Sequence, residues 1–291
     1  MQEMNSTICS NETTPTKEAT KTTTTHSSDT GLVPEARLKD TRDNKYYTVR
    51  KLADGNCWTT DNLAYAKAGT LSPTDSDVQN SSFTLASSDI YTKDGEKWSE
   101  SDDKKFIYDR PDPTYSSTTK INTGFTLKGW RKTRLSNGNI SLKAIYGTKT
   151  SPLYGNLYTW YTATAGTGTY SMGKNRTNAT SSICPRGWRL SKSYGKNSYD
   201  NLLFTSYGLQ NNSASLTKIL SSPLDFSFTG FYNYDGGQVY DAGRYGYYWT
   251  STVGSYDFAY SLYFLNSDVY SQVEVARDNK ASGRSVRCVA R

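Results

Sequence analysis

The sequence predicts an α+β protein built mainly from antiparallel strands, with one or two short helices and long loops. Two compositional observations support this class. Tyrosine and tryptophan are abundant, at 24 and 6 of the 291 residues, and aromatic side chains favour strands. Long helical patterns are rare, while short apolar segments alternate with turn residues. A chain of this length forms one large domain or two small ones, with a substantial core.

The first part of the chain predicts a linker and then a β-hairpin. Residues 11–31 are rich in Thr, Ser, Lys and Glu without periodicity, so 1–31 is predicted to be an N-terminal segment and linker. A single domain is expected over 32–291. Alternation over 38–52 predicts two strands joined by a turn at Arg42-Asp43-Asn44-Lys45. Asp54-Gly55 predicts a second tight turn before an extended piece that begins at Cys57-Trp58.

The middle of the domain predicts an insertion. Residues 64–150 are expected to form loops with one hairpin, in which 124–130 pairs with 140–146 across Ser136-Asn137-Gly138. The aromatic segment 154–161 follows and is expected to pack against a core.

The C-terminal half predicts one helix and several strands. Tyr199, Leu202 and Leu203 fall at helical spacing within 198–207, and Gly208 ends that pattern. Residues 216–220 are expected to add one more helical turn. Predicted strands lie at 226–234, 245–252, 260–264 and 285–289.

Composition excludes several classes of function. The net charge of +7 is spread thinly, without the basic stripe of a nucleic-acid binder. No apolar run approaches the ~18–20 residues needed to span a membrane. The start of this sequence has no signal-peptide pattern. A secreted or membrane-attached form is therefore expected to have a signal or anchor that was removed or lies outside this sequence.

Histidine and cysteine usage narrows the chemistry further. The single histidine, His26, lies in the Thr-rich segment, which argues against His-based catalysis and metal binding. No metal and no cofactor is expected. The four cysteines form no CxxC pair, and an even count at long spacing predicts two disulfides in an oxidising compartment. Their spacing leaves all three pairings open, and four reduced cysteines in a cytosolic protein are the alternative. The cysteines are Cys9, Cys57, Cys184 and Cys288.

The last fifty residues predict a binding surface. Between Gly254 and Ser282, Tyr, Ser, Asp and Asn occupy 14 of 29 positions. Tyrosine supplies a rigid contact area and the small polar residues supply adaptable hydrogen bonds, as in antibody loops. The alternative is a β-rich surface whose aromatics pack across strands. Ten tyrosines between Tyr232 and Tyr270 are too many for one small core, although Tyr248 and Tyr263 are expected to be core residues.

Five segments together resemble a known family, the Fibrobacter succinogenes major paralogous domain family. No single segment is specific, but their order is. The segments are Leu52-Ala53-Asp54-Gly55-Asn56-Cys57-Trp58 with Asn62-Leu63; Tyr154-Gly155-Asn156-Leu157-Tyr158-Thr159-Trp160; Ile183-Cys184-Pro185-Arg186-Gly187-Trp188-Arg189-Leu190; Tyr247-Tyr248-Trp249-Thr250-Ser251; and Ser285-Val286-Arg287-Cys288-Val289. The resemblance implies a C-type-lectin-like fold, also seen in formylglycine-generating-enzyme-like proteins. The sequence departs from the family pattern at Ser191, where the family usually has proline, and at Arg284, where it usually has an aromatic residue.

The resemblance also implies a function and a pairing of the cysteines. Similar chains serve as variable proteins of diversity-generating retroelements, in which Asn-type codons of a C-terminal segment are mutated. It further implies the bridges Cys9–Cys57 and Cys184–Cys288. The ligand-binding residues that it implies are Tyr245, Tyr247, Ser255, Tyr256, Asp257, Tyr260, Asn266, Ser267, Asp268, Tyr270, Asp278, Asn279 and Ser282.

The sequence therefore predicts a secreted or cell-surface receptor or adhesin for a protein or glycan on another cell or host. A fixed-sequence structural or adhesive surface protein is the main alternative. Calcium-dependent sugar binding is disfavoured because the Glu-Pro-Asn and Trp-Asn-Asp signatures are absent and the aspartates lack a ligand spacing. An enzyme of the formylglycine-generating type is disfavoured because no two cysteines are close in sequence, and fold analogy alone is weak support for activity.

Overall fold

The structure is a computed structural model, and most of the domain is described in it. The described residues are 35–65, 67, 69–79, 83–85, 90–92, 131–134, 140–143, 155–168, 173–221, 223–233, 238–241, 244–266 and 271–291. The predicted linker 1–31 and much of the predicted insertion 64–150 lie outside this range.

The described residues form many short strands and three helical segments. The strands are β1 (Glu35–Asp40), β2 (Lys45–Lys51), β3 (Cys57–Thr59), β4 (Gly69–Thr70), β5 (Thr84–Leu85), β6 (Ile90–Thr92), β7 (Arg131–Arg134), β8 (Ile140–Lys143), β9 (Asn156–Tyr158), β10 (Trp188–Leu190), β11 (Phe231–Asn233), β12 (Gln238–Tyr240), β13 (Tyr245–Val253), β14 (Phe258–Asn266), β15 (Ser271–Asn279) and β16 (Cys288–Ala290). The helices are α1 (Trp160–Ala163), a π-helix (Asp200–Ser206) and α2 (Ser213–Leu220). All strand pairs among them are antiparallel, which confirms the predicted mostly antiparallel α+β class.

The first sheet brings the two ends of the described chain together. Its order is β1-β2-β3-β16-β10, so the last strand lies between β3 and β10. The β1–β2 hairpin turns where the sequence predicts, with Asn44 in the left-handed region at φ 63°. The second predicted turn is also present, because Gly55 adopts φ 76° and donates its N–H to the Leu52 carbonyl at 2.9 Å.

The second sheet is the meander β13-β14-β15, whose strands are nine residues each. Residues opposite one another share a face, so Tyr247, Tyr263 and Glu274 lie on one side. Tyr248, Leu262 and Val275 lie on the other, against the core. β15 was not predicted, although its alternation of valines with polar residues is a strand pattern.

Two hydrophobic clusters form the core, and β16 contributes to both. Cys288 belongs to the cluster that contains Trp160, Trp188 and Trp249. Val289 belongs to the cluster beneath the meander, which includes Trp58, the π-helix and α2. Successive strand residues point to opposite faces, so this one strand packs against both clusters. The amide of Trp249 also donates to the Ser285 carbonyl at 2.9 Å, which joins the meander to the segment preceding β16.

The disulfide between Cys184 and Cys288 is confirmed, with Cα atoms 5.9 Å apart and a sequence separation of 104. It ties β16 to the segment that leads into β10. In the chain-entropy model a loop of this length stabilises the fold by about 4–5 kcal/mol. Cys9 lies outside the described residues, so its bridge to Cys57 stays a prediction.

The helical predictions are confirmed in position and corrected in detail. The predicted helix at 198–207 is a π-helix over Asp200–Ser206, and the turn at 216–220 is the end of the longer helix α2. The side chain of Asn212 caps α2 by accepting from the Ser215 amide at 2.9 Å. α1 was not predicted and is only four residues long. No helix among the described residues is long and apolar enough to cross a membrane.

Two predicted strands are displaced. The strand predicted over 226–234 is regular only at β11, because Phe226 and Phe228 instead pack as a loop into the cluster beneath the meander. The inserted hairpin exists as β7 paired with β8. Its first strand begins after the predicted 124–130, which lies outside the described residues.

Candidate functional site

The meander and its neighbours present two separate aromatic surfaces. We call the first the ladder face and the second the tip cluster. The ladder face consists of Phe231, Tyr240, Tyr245, Tyr247 and Tyr263. The tip cluster consists of Tyr194, Tyr256, Phe258 and Tyr260 with Arg176 and Arg277.

Rings of the ladder face contact one another both along a strand and between neighbouring strands. Tyr245 and Tyr247 stack with an interplanar angle of 4° and centroids 6.0 Å apart. Tyr263 lies 5.1 Å from Tyr247 on the neighbouring strand. Phe231 contacts Tyr247 at 5.1 Å and Tyr240 at 5.9 Å, which extends the row onto β11 and β12. Such contacts order the rings relative to one another.

A buried arginine supports the ladder face from below. Arg284 is 3% exposed and its guanidinium lies 4.2 Å from the Tyr247 ring centroid and 5.3 Å from Trp249. Its Nη2 donates to Asp278 Oδ1 at 2.6 Å. Nε and Nη1 are buried and find no acceptor among the described residues. Cation–π contacts with the rings therefore offset part of the cost of burying this charge.

Burial and the nearby Arg284 charge act on the pKa of Tyr247 in opposite directions. Burial raises the pKa of the Tyr247 phenol well above its ordinary value of 10, and the Arg284 charge only partly opposes this. The hydroxyl of Tyr247 therefore stays neutral across the physiological range. It acts in this face as an apolar ring that carries a hydrogen-bonding tip.

The tip cluster is built by a loop that runs beside β13. Within this loop, the Arg176 amide donates to the Val253 carbonyl at 2.8 Å, and the Ala179 amide donates to the Ser251 carbonyl at 2.8 Å. This pairing follows the irregular register of β13 between Trp249 and Val253. The loop thereby brings Arg176 to the end of the meander, next to residues more than 70 positions later in the chain.

Two tyrosines and two arginines contact one another at the tip. Tyr194 meets Tyr260 edge to face at 5.5 Å. The Arg176 guanidinium lies 4.9 Å from the Tyr194 ring, and that of Arg277 lies 5.6 Å from the Tyr260 ring. Burial alone would raise the pKa of the Tyr260 phenol, but hydrogen bonds and positive charge from Arg277 and Arg176 outweigh it. The pKa of Tyr260 is therefore lowered from 10.

Tyr256 projects furthest into solvent, and a buried lysine fixes the turn that carries it. Its side chain is 66% exposed, beside Phe258 at 41%. The Lys280 Nζ donates to the Tyr256 carbonyl at 2.7 Å, and the Lys280 amide donates to the Asp257 carbonyl at 2.9 Å. The same ammonium lies 4.8 Å from the Trp160 ring. A Cβ at Gly173 would lie 2.6 Å from the Tyr256 ring, so glycine there allows the ring to lie against the loop.

The structure divides the predicted ligand-binding residues among several environments. Tyr245 and Tyr247 lie on the ladder face, with Tyr247 only 9% exposed. Tyr256 and Asp257 are exposed at the tip, and Ser255 is half-buried beside them. Tyr260 is 6% exposed and packs against Tyr194.

The remaining predicted residues have structural contacts or fall outside the description. Asp278 accepts from Arg284 and from the Ser261 hydroxyl. Asn279 accepts from the Ala281 amide through its side chain at 2.9 Å, and Ser282 is buried. For Asn266 only the backbone is described, at the end of β14. Ser267, Asp268 and Tyr270 lie outside the described residues.

Two expectations about core tyrosines have different outcomes. Tyr248 is fully buried, which confirms its prediction as a core residue. Its hydroxyl donates to the Ser227 carbonyl at 2.9 Å. Tyr263 is half-buried on the ladder face, so its prediction as core was wrong. The two residues lie on different strands of one sheet with side chains on opposite faces, and the register determines which side is the core.

Sequence reasoning missed more than half of each surface. The missed residues are Phe231, Tyr240 and Tyr263 of the ladder face, with the supporting Arg284, and Arg176, Tyr194, Phe258 and Arg277 of the tip cluster. Arg277 follows Val273 and Val275 at a spacing of two, so recognising β15 would have placed it on the same side. Arg176 and Tyr194 have no such local signal, because they reach the tip through loops.

The described residues contain no group of three or more His, Cys, Asp or Glu side chains placed to hold a metal ion. Comparison with known proteins found no matching family model, no matching curated protein and no matching solved structure.

Proposed function

We propose that this protein is a secreted or surface-displayed receptor or adhesin that binds a protein or glycan through the tip cluster. The observation that carries the proposal is the exposed pair Tyr256 and Phe258 beside two arginines, on a turn fixed by a buried lysine. Exposed aromatic clusters on a rigid support are typical of interaction sites. Tyrosine and arginine are also the residue types enriched among strongly contributing interface residues.

The proposed fold is the C-type-lectin-like fold of the resembling family. Its support is that the segments carrying the resemblance contact one another. β3, β10 and β16, which come from three of them, are neighbours in one sheet. Tyr158, from a fourth, exchanges backbone hydrogen bonds with Arg284 and accepts from the Trp249 indole at 2.8 Å. Trp249 comes from the fifth.

The proposed diversification acts on a face that includes both tolerant and constrained positions. Tyr256 and Asp257 are exposed, so their replacement has little cost to the fold. Tyr260 and Ser282 are buried, so variation there is expected to be coupled to stability. Sequencing the gene in several isolates tests this proposal. Substitutions confined to 247–282 at Asn-type codons support diversification, whereas changes spread evenly along the chain favour a fixed-sequence structural or adhesive protein.

Binding itself is tested with labelled protein on arrays of glycans and of extracellular proteins. Tyr256→Ala should abolish the signal on the bound probes and change the free energy of unfolding by less than about 0.5 kcal/mol, since the ring is mostly exposed. Gly173→Ala tests the same surface while keeping the Tyr256 side chain, because the added Cβ would displace the Tyr256 ring. It should weaken binding while the melting temperature changes little.

Tyr46→Ala is the matched control, because Tyr46 is a half-buried tyrosine on the β1–β2 hairpin. It should leave the array signal unchanged. Equal binding by wild type and both tip variants would refute the proposed binding surface. Unfolding of Tyr256→Ala would instead show that this residue contributes to the core.

A further inference from the structure

A polar pocket outside both aromatic surfaces carries unbalanced positive charge. Its volume is about 160 Å³. It lies between the loop 178–181, the end of β10 with the following Lys192, and Arg291. Three cationic side chains, Arg189, Lys192 and Arg291, line it together with one carboxylate, Asp77. Formal charge in the pocket is therefore +2 when Asp77 is ionised.

The carboxylate of Asp77 is already engaged by protein groups. One oxygen accepts from the Arg291 guanidinium, and the other accepts from the Ser182 hydroxyl at 2.6 Å. Burial raises the pKa of Asp77 to about 6, although Ser182 and Arg291 oppose the shift. Asp77 therefore orients Arg291, and both of its oxygens already accept hydrogen bonds from protein groups. Its single negative charge leaves two of the three lining cations unbalanced.

Arg189 is the lining arginine whose guanidinium has an unsatisfied hydrogen-bond donor. Its Nε is buried and finds no hydrogen-bond acceptor among the described residues. Burial and the neighbouring Arg291 charge lower the pKa of Arg189, and the Asp77 charge only partly offsets them. A buried donor without an acceptor is unfavourable, and more so when it is charged. Because Arg189 lines the pocket, an anion bound there would balance its charge.

The neutral groups of the pocket also favour an acceptor. The side-chain oxygen of Asn178 already accepts from the Thr252 hydroxyl at 2.6 Å. Its amide N–H groups are therefore what Asn178 has left to offer. The Ser181 hydroxyl oxygen accepts from the Gln79 amide at 3.0 Å, which leaves its O–H to donate. Both neutral side chains therefore keep donors for a bound acceptor.

We propose that this pocket binds a small oxyanion, either a carboxylate or a tetrahedral sulfate or phosphate group, with Arg189 and Lys192 as the principal ligands. Arg189 supplies a planar guanidinium suited to an oxyanion, and Lys192 supplies a point charge. Arg291 borders the site and is held in place by Asp77. The pocket lining shares no residue with the tip cluster, so loss of anion binding and loss of binding at the tip can be distinguished.

Titration calorimetry on the full chain tests the site with four probes. Inorganic sulfate, inorganic phosphate and glucuronate are the anions, and glucose is the neutral counterpart of glucuronate. Wild type should bind at least one anion and not glucose. Preference for glucuronate identifies a carboxylate site, and preference for sulfate or phosphate identifies a tetrahedral one. Absence of heat with all three anions would refute the site.

Three variants assign the binding to the pocket. Arg189→Gln should weaken binding of the preferred anion about tenfold or more, since a charge-assisted hydrogen bond is lost. Lys192→Gln removes a cation whose side chain supports no described contact, and it should have a similar effect without altering the fold. Arg186→Gln is the control: it removes one positive charge from an exposed arginine of the same segment, outside the pocket lining. Equal weakening by Arg186→Gln would show a general charge effect and overturn the proposal.

Discussion

The ladder face and the tip cluster both place aromatic rings next to arginine at the three-stranded meander, yet their surroundings differ. At the ladder face, Tyr247 is largely buried over Arg284, and five rings pack in a row. At the tip, Tyr256 and Phe258 are exposed. Arg176 lies against the Tyr194 ring there, and Arg277 lies against the Tyr260 ring. The two clusters therefore differ in the position of their arginines, which lies beneath the rings at the ladder face and beside them at the tip.

The surroundings differ because the two sets of tyrosines project from opposite faces of the meander and because the loop beside β13 brings Arg176 to the tip. Tyr247 and Tyr263 project to one side of the meander, where β11 adds Phe231. Tyr260 projects to the other side, past the end of the core cluster, where the Arg176 loop and Tyr194 meet it. We expect the ladder face to contribute chiefly stability and the tip chiefly binding. Three measurements test this contrast, from the largest expected effect to the smallest.

Removing one arginine from each region should destabilise the protein by very different amounts. Arg284→Met leaves the Asp278 carboxylate without its cation and should lower the free energy of unfolding by about 3 kcal/mol. Arg277→Met removes an exposed arginine stacked on Tyr260 and should cost less than about 0.5–1 kcal/mol. Chemical denaturation gives both values. Adding Asp278→Asn to Arg284→Met should recover part of the loss, because the unpaired carboxylate is then absent. Similar costs for the two arginines would remove the distinction between the regions.

The turn at the tip should depend on its buried lysine. Lys280→Met keeps an unbranched side chain but loses the ammonium, and with it both the cation–π contact with Trp160 and the hydrogen bond to the Tyr256 carbonyl. It should cost about 1–2 kcal/mol and weaken array binding by loosening the turn. Lys174→Met is the matched control, since Lys174 is exposed on the neighbouring loop. Unchanged stability and binding in Lys280→Met would show that the turn holds its shape without this contact.

Titration of the two buried phenols should separate the regions without altering the fold. The pKa of Tyr260 is lowered by Arg277 and Arg176, whereas the pKa of Tyr247 is raised by burial. On raising the pH, the NMR signal of Tyr260 should therefore move before that of Tyr247. Tyr260→Phe and Tyr247→Phe assign the signals. Arg277→Gln should raise the pKa of Tyr260 and leave that of Tyr247 in place. Deprotonation of Tyr247 first would contradict the assigned environments.

Much of the fold was predictable because it is encoded locally. The β1–β2 hairpin has alternating strands and turn residues, and Gly55 lies where a positive φ is required. The helical pattern around Leu202 and Leu203 produced a helix at that position, although its hydrogen bonding is of the π type. β15 was missed because its polar residues were interpreted as recognition loops, despite the valine alternation of a strand.

The candidate site was predictable only in part. Composition identified the tyrosine-rich segment, and Tyr256 is indeed exposed. It did not separate Tyr256 from Tyr260, whose ring is covered by Tyr194. Arg176 pairs with Val253 although the two are 77 positions apart in the sequence, and Tyr158 pairs with Arg284 over a still longer separation. No local pattern reports such contacts.

The sequence by itself determined the antiparallel class, the first hairpin, the segment rich in tyrosine and an even set of cysteines. Only the tertiary structure decided which tyrosines face Arg284, which face solvent and where Arg189 is left without an acceptor. The physical reason lies in the range of the interactions. Turn preference and strand alternation act between neighbouring residues, whereas burial, cation–π contact and charge pairing depend on side chains that meet only after the strands have found their partners.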